Sequence, residues 1–392
     1  MAHAETADIV IVGAGVHGAS LAFHLTRRGI RTHVLEAKFI AAGATGRSSG
    51  LVRMHYDLEA ESRLAWASFQ YFRNWAEIVG GDCGFTRTGF LQLVRPEFNA
   101  QLRANIGMHQ RIGIPSLLVT ADDVRRLAPS FSTTDFELAA FEPESGHADP
   151  TATASSLLHA ARERGATLWQ GRRATSVQVS KGKVVGVETN QGPIGAPIVV
   201  NAAGAWAKEI GQMVGLPLPI TTWRHETAFL RRPPDLGPSH PTVIDFPNLM
   251  YFRPETGGLT LVGLEDGNPL GMSPEQDPDR VTPGFVERAV ERICRRIPAM
   301  ERGSLHSAHP GYDGISTDQR AILGQAGPEG FYLSCGFSGT GFKIAPAVGA
   351  CMAELILDGQ SKTVDISAFR LSRFDEGRAL RGEHAYEEIW RD

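Results

Sequence analysis

Cysteine is scarce in this chain. Cys83, Cys294, Cys335 and Cys351 are scattered over 392 residues, with no CxxC pair and no histidine at ligand spacing. That pattern argues against a disulfide framework and against a zinc site. Long apolar runs are also missing, since none approaches the roughly 20 residues that a membrane helix needs. The amino terminus, MAHAETADIVIVGAGV, has no basic region, and its apolar run breaks at Gly13. Positive charge is short as well: the formal net charge is -4, with no lysine/arginine run to act as a nucleic-acid footprint. These absences lead to the expectation of a soluble, cytoplasmic protein with no membrane span and no nucleic-acid partner.

What is present is an ordinary globular composition, 42% hydrophobic and 21% charged. A length of 392 residues exceeds one typical core, so two domains are expected. The segment DIVIVGAGVHGASLAFHLTRRG reads as strand, tight turn and helix, with Gly29 stopping the helix. RTHVLEA supplies a second strand that ends at Glu36. ESRLAWASFQYFRNWAEIVG and PTATASSLLHAARERGA read as amphipathic helices, the second with Asp149 as cap and Pro150 as first residue. ATSVQVSKGKVVGVETNQG alternates like a hairpin turning at Lys181-Gly182, and IGAPIVVNAAGAWAKEIGQMVG returns to strand, turn and helix. Fourteen of the 23 prolines lie between Pro217 and Pro310, as antiparallel strands with long connections would require. The expected fold class is α/β: a Rossmann-like, glutathione-reductase-like nucleotide-binding domain with an inserted antiparallel β-rich substrate domain. The expected boundaries are 1–85, 150–222 and 312–392 for the first domain, and 86–149 and 223–311 for the second.

Gly13, Gly15 and Gly18 form GxGxxG between a strand and a helix. The first glycine permits the tight turn, the second lets backbone approach a pyrophosphate, and the third lets helix and strand pack closely. Val16 and His17 then open the helix, whose free N–H groups face the phosphates. Glu36, eighteen residues after Gly18, stands where an acid can accept hydrogen bonds from a ribose. These residues do not separate NAD from FAD. A second oddity is Lys343 in GFSGTGFKIAPAVG, a cation at the positive end of a helix dipole, where it is disfavoured unless an anion waits there.

Five separated motifs stand out beyond the glycine turn alone: VGAGVHG, GATGRSSGLVR, GHADP, VVNAAGAW and GFSGTGFKIAPAVG. Together they make the chain resemble the glycine oxidase/sarcosine oxidase branch of the D-amino-acid-oxidase superfamily of flavoenzymes. The resemblance implies FAD. It assigns the cofactor to Ala37 beside Glu36, to Gly43, Thr45, Arg47, Ser48 and Ser49 along the loop under the ribityl chain and ring, and to Ala174 near the adenine. Ala203, Gly204 and the segment Gly339, Thr340, Gly341, Phe342 and Lys343 complete that set. It also implies a carboxylate clamp made by Arg53 and Lys343. Tyr251 and His225, on expected strands of the second domain, are further candidates to line the cavity, with His55, Tyr56 and Glu226 as weaker ones.

Departures from that pattern carry expectations too. The cysteine that tethers FAD in monomeric sarcosine oxidases is replaced here by Gly311, and GATGRSSG holds no histidine, so FAD is expected to be bound non-covalently. An arginine position beside the flavin corresponds to Gly50, and a lysine position to Thr260 or an apolar neighbour, which leaves oxygen or a quinone-like carrier as the electron acceptor. The reaction implied is oxidation of a small secondary or N-methylated, sarcosine-like amino acid, by hydride transfer from the carbon next to nitrogen to flavin N5 and then imine hydrolysis. The alternatives are a D-amino-acid or proline-like imino-acid dehydrogenase, or the flavin-bearing subunit of a larger amine-oxidising complex.

Overall fold

The computed structural model describes residues 5–236, 240–276 and 279–386. The ends of the first expected domain (1–4 and 387–392) and parts of the loop between Pro233 and Pro247 therefore lie outside the described residues. The apolar run Ile9–Val12 is buried throughout, as a central parallel strand must be. It pairs with Thr32–Glu36 on one side and Ile198–Asn201 on the other. Thr167–Gln170 and Phe331–Cys335 extend the parallel sheet, and Ile322–Gln325 closes it as an antiparallel edge. The helices Val16–Thr26, Pro150–Glu163 and Ala345–Asp358 share one core on one face of this sheet. The four-stranded sheet built on the hairpin Ala174–Ser180/Lys183–Thr189 covers the other face.

Local signals explain the joints. Asp149 accepts the N–H of Ala152 at 2.9 Å, and Pro150 opens that helix. Lys181 and Gly182, both at positive φ (50° and 78°), turn the hairpin. The amphipathic stretch expected from Glu61 forms the helix Glu59–Arg73, which a break at Asn74 separates from the short Trp75–Ile78.

The second layer is an eight-stranded, mainly antiparallel sheet. It runs in the order Ser304–Ser316, Ile220–Arg231, Leu259–Leu264, Met250–Glu255, Thr242–Asp245, Phe90–Leu93, Leu138–Glu142, Leu117–Thr120. Period-2 alternation gives it two different faces. Val262 and Leu264 pack with the helix Phe285–Arg296, whereas Leu261, Tyr251, Ile244 and Phe90 cluster with Leu51 beneath the glycine-rich loop. The long strands Ile220–Arg231 and Ser304–Ser316 pair from Ile220↔Ser316 to Arg231↔Ser304. They run straight through the boundaries expected at 222 and 311, so the two layers are joined by continuous β-structure without a flexible linker.

Candidate active site

Between the parallel sheet and the β-rich layer lies a cavity of about 820 Å³. One part of its wall is built by the glycine turn. Gly13 has φ +112°, and a Cβ there would stand 2.4 Å from the Ala202 carbonyl oxygen; a Cβ on Gly18 would stand 2.0 Å from that of Gly13. Only glycine allows this approach of helix to strands. The Thr45 hydroxyl accepts the first helical N–H, that of Val16, at 3.0 Å and fixes the loop against the helix. Glu36 accepts the N–H groups of Ala14 (3.0 Å) and Lys38 (2.8 Å), one on each oxygen, and still faces the cavity. His17 stacks flat on Phe337, with ring centroids 3.4 Å apart, and neither ring nitrogen has a partner among the described residues. Burial holds its pKa down at about 3, so the ring is neutral. A tight glycine cradle, a positioned acid and an orphaned buried ring in one wall fit an adenosine pyrophosphate and the flavin beyond it.

Of the residues expected from sequence, Gly13, Gly15, Val16, His17, Glu36, Ala37, Gly43, Thr45, Ser48 and Ser49 line this cavity. So do Arg53, Ala174, Ala203, Gly204, His225, Tyr251 and the run Gly339, Thr340, Gly341, Phe342, Lys343. Gly18 lies behind the wall as a packing residue. The Arg47 side chain turns to the surface, where it meets Asp279 at 3.4 Å, so it does not face the cavity as expected. Of the two alternatives for the lysine position, Thr260 is buried on the far side of its strand, 2.9 Å from His240 Nε2, while its apolar neighbour Leu261 takes the face that carries Tyr251 and Ile244. Alternation along the strand makes this unavoidable, because neighbouring residues point to opposite faces.

Part of the cavity wall is strongly charged. The Arg53 guanidinium lies 4.6 Å from the centroid of the Tyr56 ring, and the Lys343 ammonium lies 5.6 Å from the same ring. Tyr56 is itself fixed by a 3.0 Å hydrogen bond to the Thr340 carbonyl. Lys343 is buried, yet it has no hydrogen bond or salt bridge to any described residue. Burial and then Arg53 push its pKa well below the usual lysine value, against the pull of Glu61, Glu265 and Asp313. Arg53 donates to the His55 carbonyl, and its Nε is buried without a partner. Two cations therefore converge on one aromatic ring, and neither has an ion-pair partner among the described residues. Opposite them, Asp313 accepts the N–H groups of Gly339 (2.7 Å) and Gly314 (2.8 Å), and burial keeps the neighbouring His225 neutral.

Several wall residues had no clear signal in the sequence. Glu265 follows the strand Leu259–Leu264 and opens onto the cavity. Residues 379–386 form a strap along the cavity wall. The Glu383 N–H binds the Asp57 carbonyl at 2.9 Å, and Tyr386 hydrogen-bonds His55 Nε2 at 2.8 Å. Behind the strap, His55, His109 and Glu142 bring ligand-type atoms within 4.8 Å of one another. The edges of a tetrahedral zinc site are about 3.3 Å, and Arg53 presses electrostatically on all three groups. The guanidinium already supplies positive charge there, so we read the cluster as support for Arg53.

Residues 8–355 match the model of the DAO family, FAD dependent oxidoreductase. The chain belongs to this family. Its cofactor is FAD. Among curated proteins, this flavoprotein is 30% identical to the bovine (Bos taurus) FAD-dependent oxidoreductase domain-containing protein 1, across 97% of its own length and 87% of the relative's. It is 27% identical to the mitochondrial sarcosine dehydrogenase of Mus musculus, across 96% of its own length and 43% of that protein's, and so matches less than half of that enzyme. Among solved structures, L-proline dehydrogenase from P. horikoshii superposes with a TM-score of 0.89 at 27% identity, covering 96% of this chain and 100% of that one. Glycine oxidase from Geobacillus kaustophilus gives 0.83 at 25% identity, covering 94% and 99%. No helix among the described residues is long and apolar enough to cross a membrane.

Proposed function

We propose that this flavoprotein oxidises a small secondary or N-methylated amino acid at the carbon next to nitrogen. The observation that carries the reading is the convergence of Arg53 and Lys343 on the Tyr56 ring inside the FAD cavity, with no acidic partner for Lys343 among the described residues. An α-carboxylate supplies the missing anion. Arg53 suits it because a guanidinium fork binds a carboxylate through two parallel hydrogen bonds. Lys343 adds a point charge whose protonated form the arriving carboxylate stabilises. Bound FAD supplies the two-electron acceptor for the C–H bond next to nitrogen. The chain orients that bond: the clamp fixes one end of the substrate, while Tyr251, His225 and the 379–386 strap enclose the rest and limit water. The imine product hydrolyses in water, giving formaldehyde when the oxidised carbon is an N-methyl group.

Similarity to an L-proline dehydrogenase favours a second reading, in which the secondary amine is cyclic. Anaerobic titration with sarcosine, dimethylglycine, proline and D-alanine, followed by air, decides between them. The compound that bleaches the flavin band names the substrate class, and the speed of recolouring separates oxygen from another acceptor. Absence of bleaching by all four would remove the reading.

We further propose that FAD is held without a covalent bond. Gly311 offers no side chain, and an added Cβ there would meet Arg47 Cβ and His225 Nε2, each at 2.8 Å. After acid denaturation, the yellow colour is expected in the supernatant. Colour retained in the pellet would contradict this.

A further inference from the structure

We propose that Glu265 takes the proton from the substrate's ammonium group, and so selects amino acids over carboxylates that lack an amine. The inference rests on the carboxylate-clamp reading above and assigns the other half of the same substrate. Glu265 lines the cavity, half-buried, just after the strand whose inner face carries Leu261. Its backbone is pinned by a 2.9 Å hydrogen bond to the Leu249 carbonyl. Its carboxylate has no hydrogen-bond or ion-pair partner among the described residues. Its acidic neighbour Asp266 is engaged by Arg292, at 2.6 and 2.9 Å, so that arginine is not available to Glu265.

The groups that face Glu265 electrostatically are Arg53 and Lys343 across the cavity, Asp266 beside it and Tyr251 on the adjacent strand. Burial raises its pKa, Arg53 and Lys343 oppose the rise, and the balance holds it at about 7. An acid near neutrality, across from two cations, is suited to proton transfer at working pH. A zwitterionic amino acid completes the charge pattern: its carboxylate meets Arg53 and Lys343, and its ammonium meets Glu265. One N–H bond of the ammonium breaks as an O–H bond forms on Glu265. The neutral amine then holds the lone pair that becomes the second C=N bond as the C–H electron pair leaves for the flavin. Glu265 returns its proton to water when the product departs.

The sign of the pH dependence follows. Glu265 must be ionised, so wild-type kcat/KM for flavin bleaching should rise as pH increases through about 7. In Glu265→Gln holoenzyme the bleaching rate at pH 7 should fall about 100-fold or more. Its acidic limb should move towards the pKa of the free amine, about 10 by analogy with lysine. Glu265→Asp should keep a limb near neutrality.

A binding measurement separates this role from mere shape. Binding of propionate, which has no amine, is followed through the flavin spectrum and should be unchanged or tighter in Glu265→Gln, which removes a negative charge. Binding of the amino acid should weaken. A Glu265→Gln enzyme that keeps the limb near 7 and treats the two ligands as wild type does would overturn the proposal while leaving the clamp intact. Wild-type protein that binds neither ligand would remove the clamp and this proposal together.

Discussion

Replacing Arg53 by alanine should weaken binding of any small carboxylate ligand by about 2–5 kcal/mol, because it leaves a buried carboxylate short of its charged partner. At roughly 1.4 kcal/mol per tenfold, the loss is about one and a half to three and a half powers of ten in Kd. The arginine is held from behind by the His55 carbonyl and packed on Tyr56 and Phe90, so its fork is already oriented before a ligand arrives. Arg53→Lys should recover only part of the affinity, since an ammonium cannot reproduce two parallel hydrogen bonds. Flavin difference spectra with propionate give the Kd directly, without turnover. Equal affinity in Arg53→Ala and wild type would take Arg53 out of the site.

The second large effect concerns stability and lies away from the cofactor. Arg296 and Asp245 are both fully buried, joined by hydrogen bonds of 2.7 and 3.0 Å, and Arg296 also reaches Asp135 at 2.9 Å and the Ser132 carbonyl. This cluster ties the helix Phe285–Arg296 to the sheet strand Thr242–Asp245 on the face opposite the cavity. Arg296→Ala strands the Asp245 charge in the interior and should cost about 3–5 kcal/mol. Against a total stability of about 5–15 kcal/mol that is a severe loss. The double variant Arg296→Met/Asp245→Leu should lose less than the sum of its single changes, because no uncompensated charge remains. Urea unfolding of the holoenzyme measures both. A single-variant loss under 1 kcal/mol would mean that water reaches Asp245.

These two arginines illustrate what the sequence reveals and what it hides. Arg53 follows a glycine-rich cofactor loop and two apolar residues, a local setting that already suggests a buried cation in need of an anion. Arg296 ends an amphipathic helix in the run ICRRIP, next to a second arginine that stays on the surface. Which of the two turns inward depends on where the helix docks. The same holds for strand Leu259–Leu264: its alternation is legible, but which face meets the cavity is set by its neighbours, so the sequence left Thr260 and an apolar neighbour as equal alternatives beside the flavin.

The sequence by itself determined the elements whose causes are local. The strand–turn–helix around Gly13, Gly15 and Gly18, the Asp149–Pro150 helix start and the Lys181–Gly182 hairpin all follow from steric and hydrogen-bonding rules acting within a few residues. Tertiary structure alone decided the substrate end of the cavity. His55 meets Tyr386 across 331 positions of sequence, Arg320 reaches back to Asp57 and Glu61, and Glu265 comes to face Arg53 and Lys343 from another layer. Such meetings leave no periodic trace in the chain. They arise because burying the apolar faces of two sheets brings distant loops together, and the charges those loops carry then set one another's protonation.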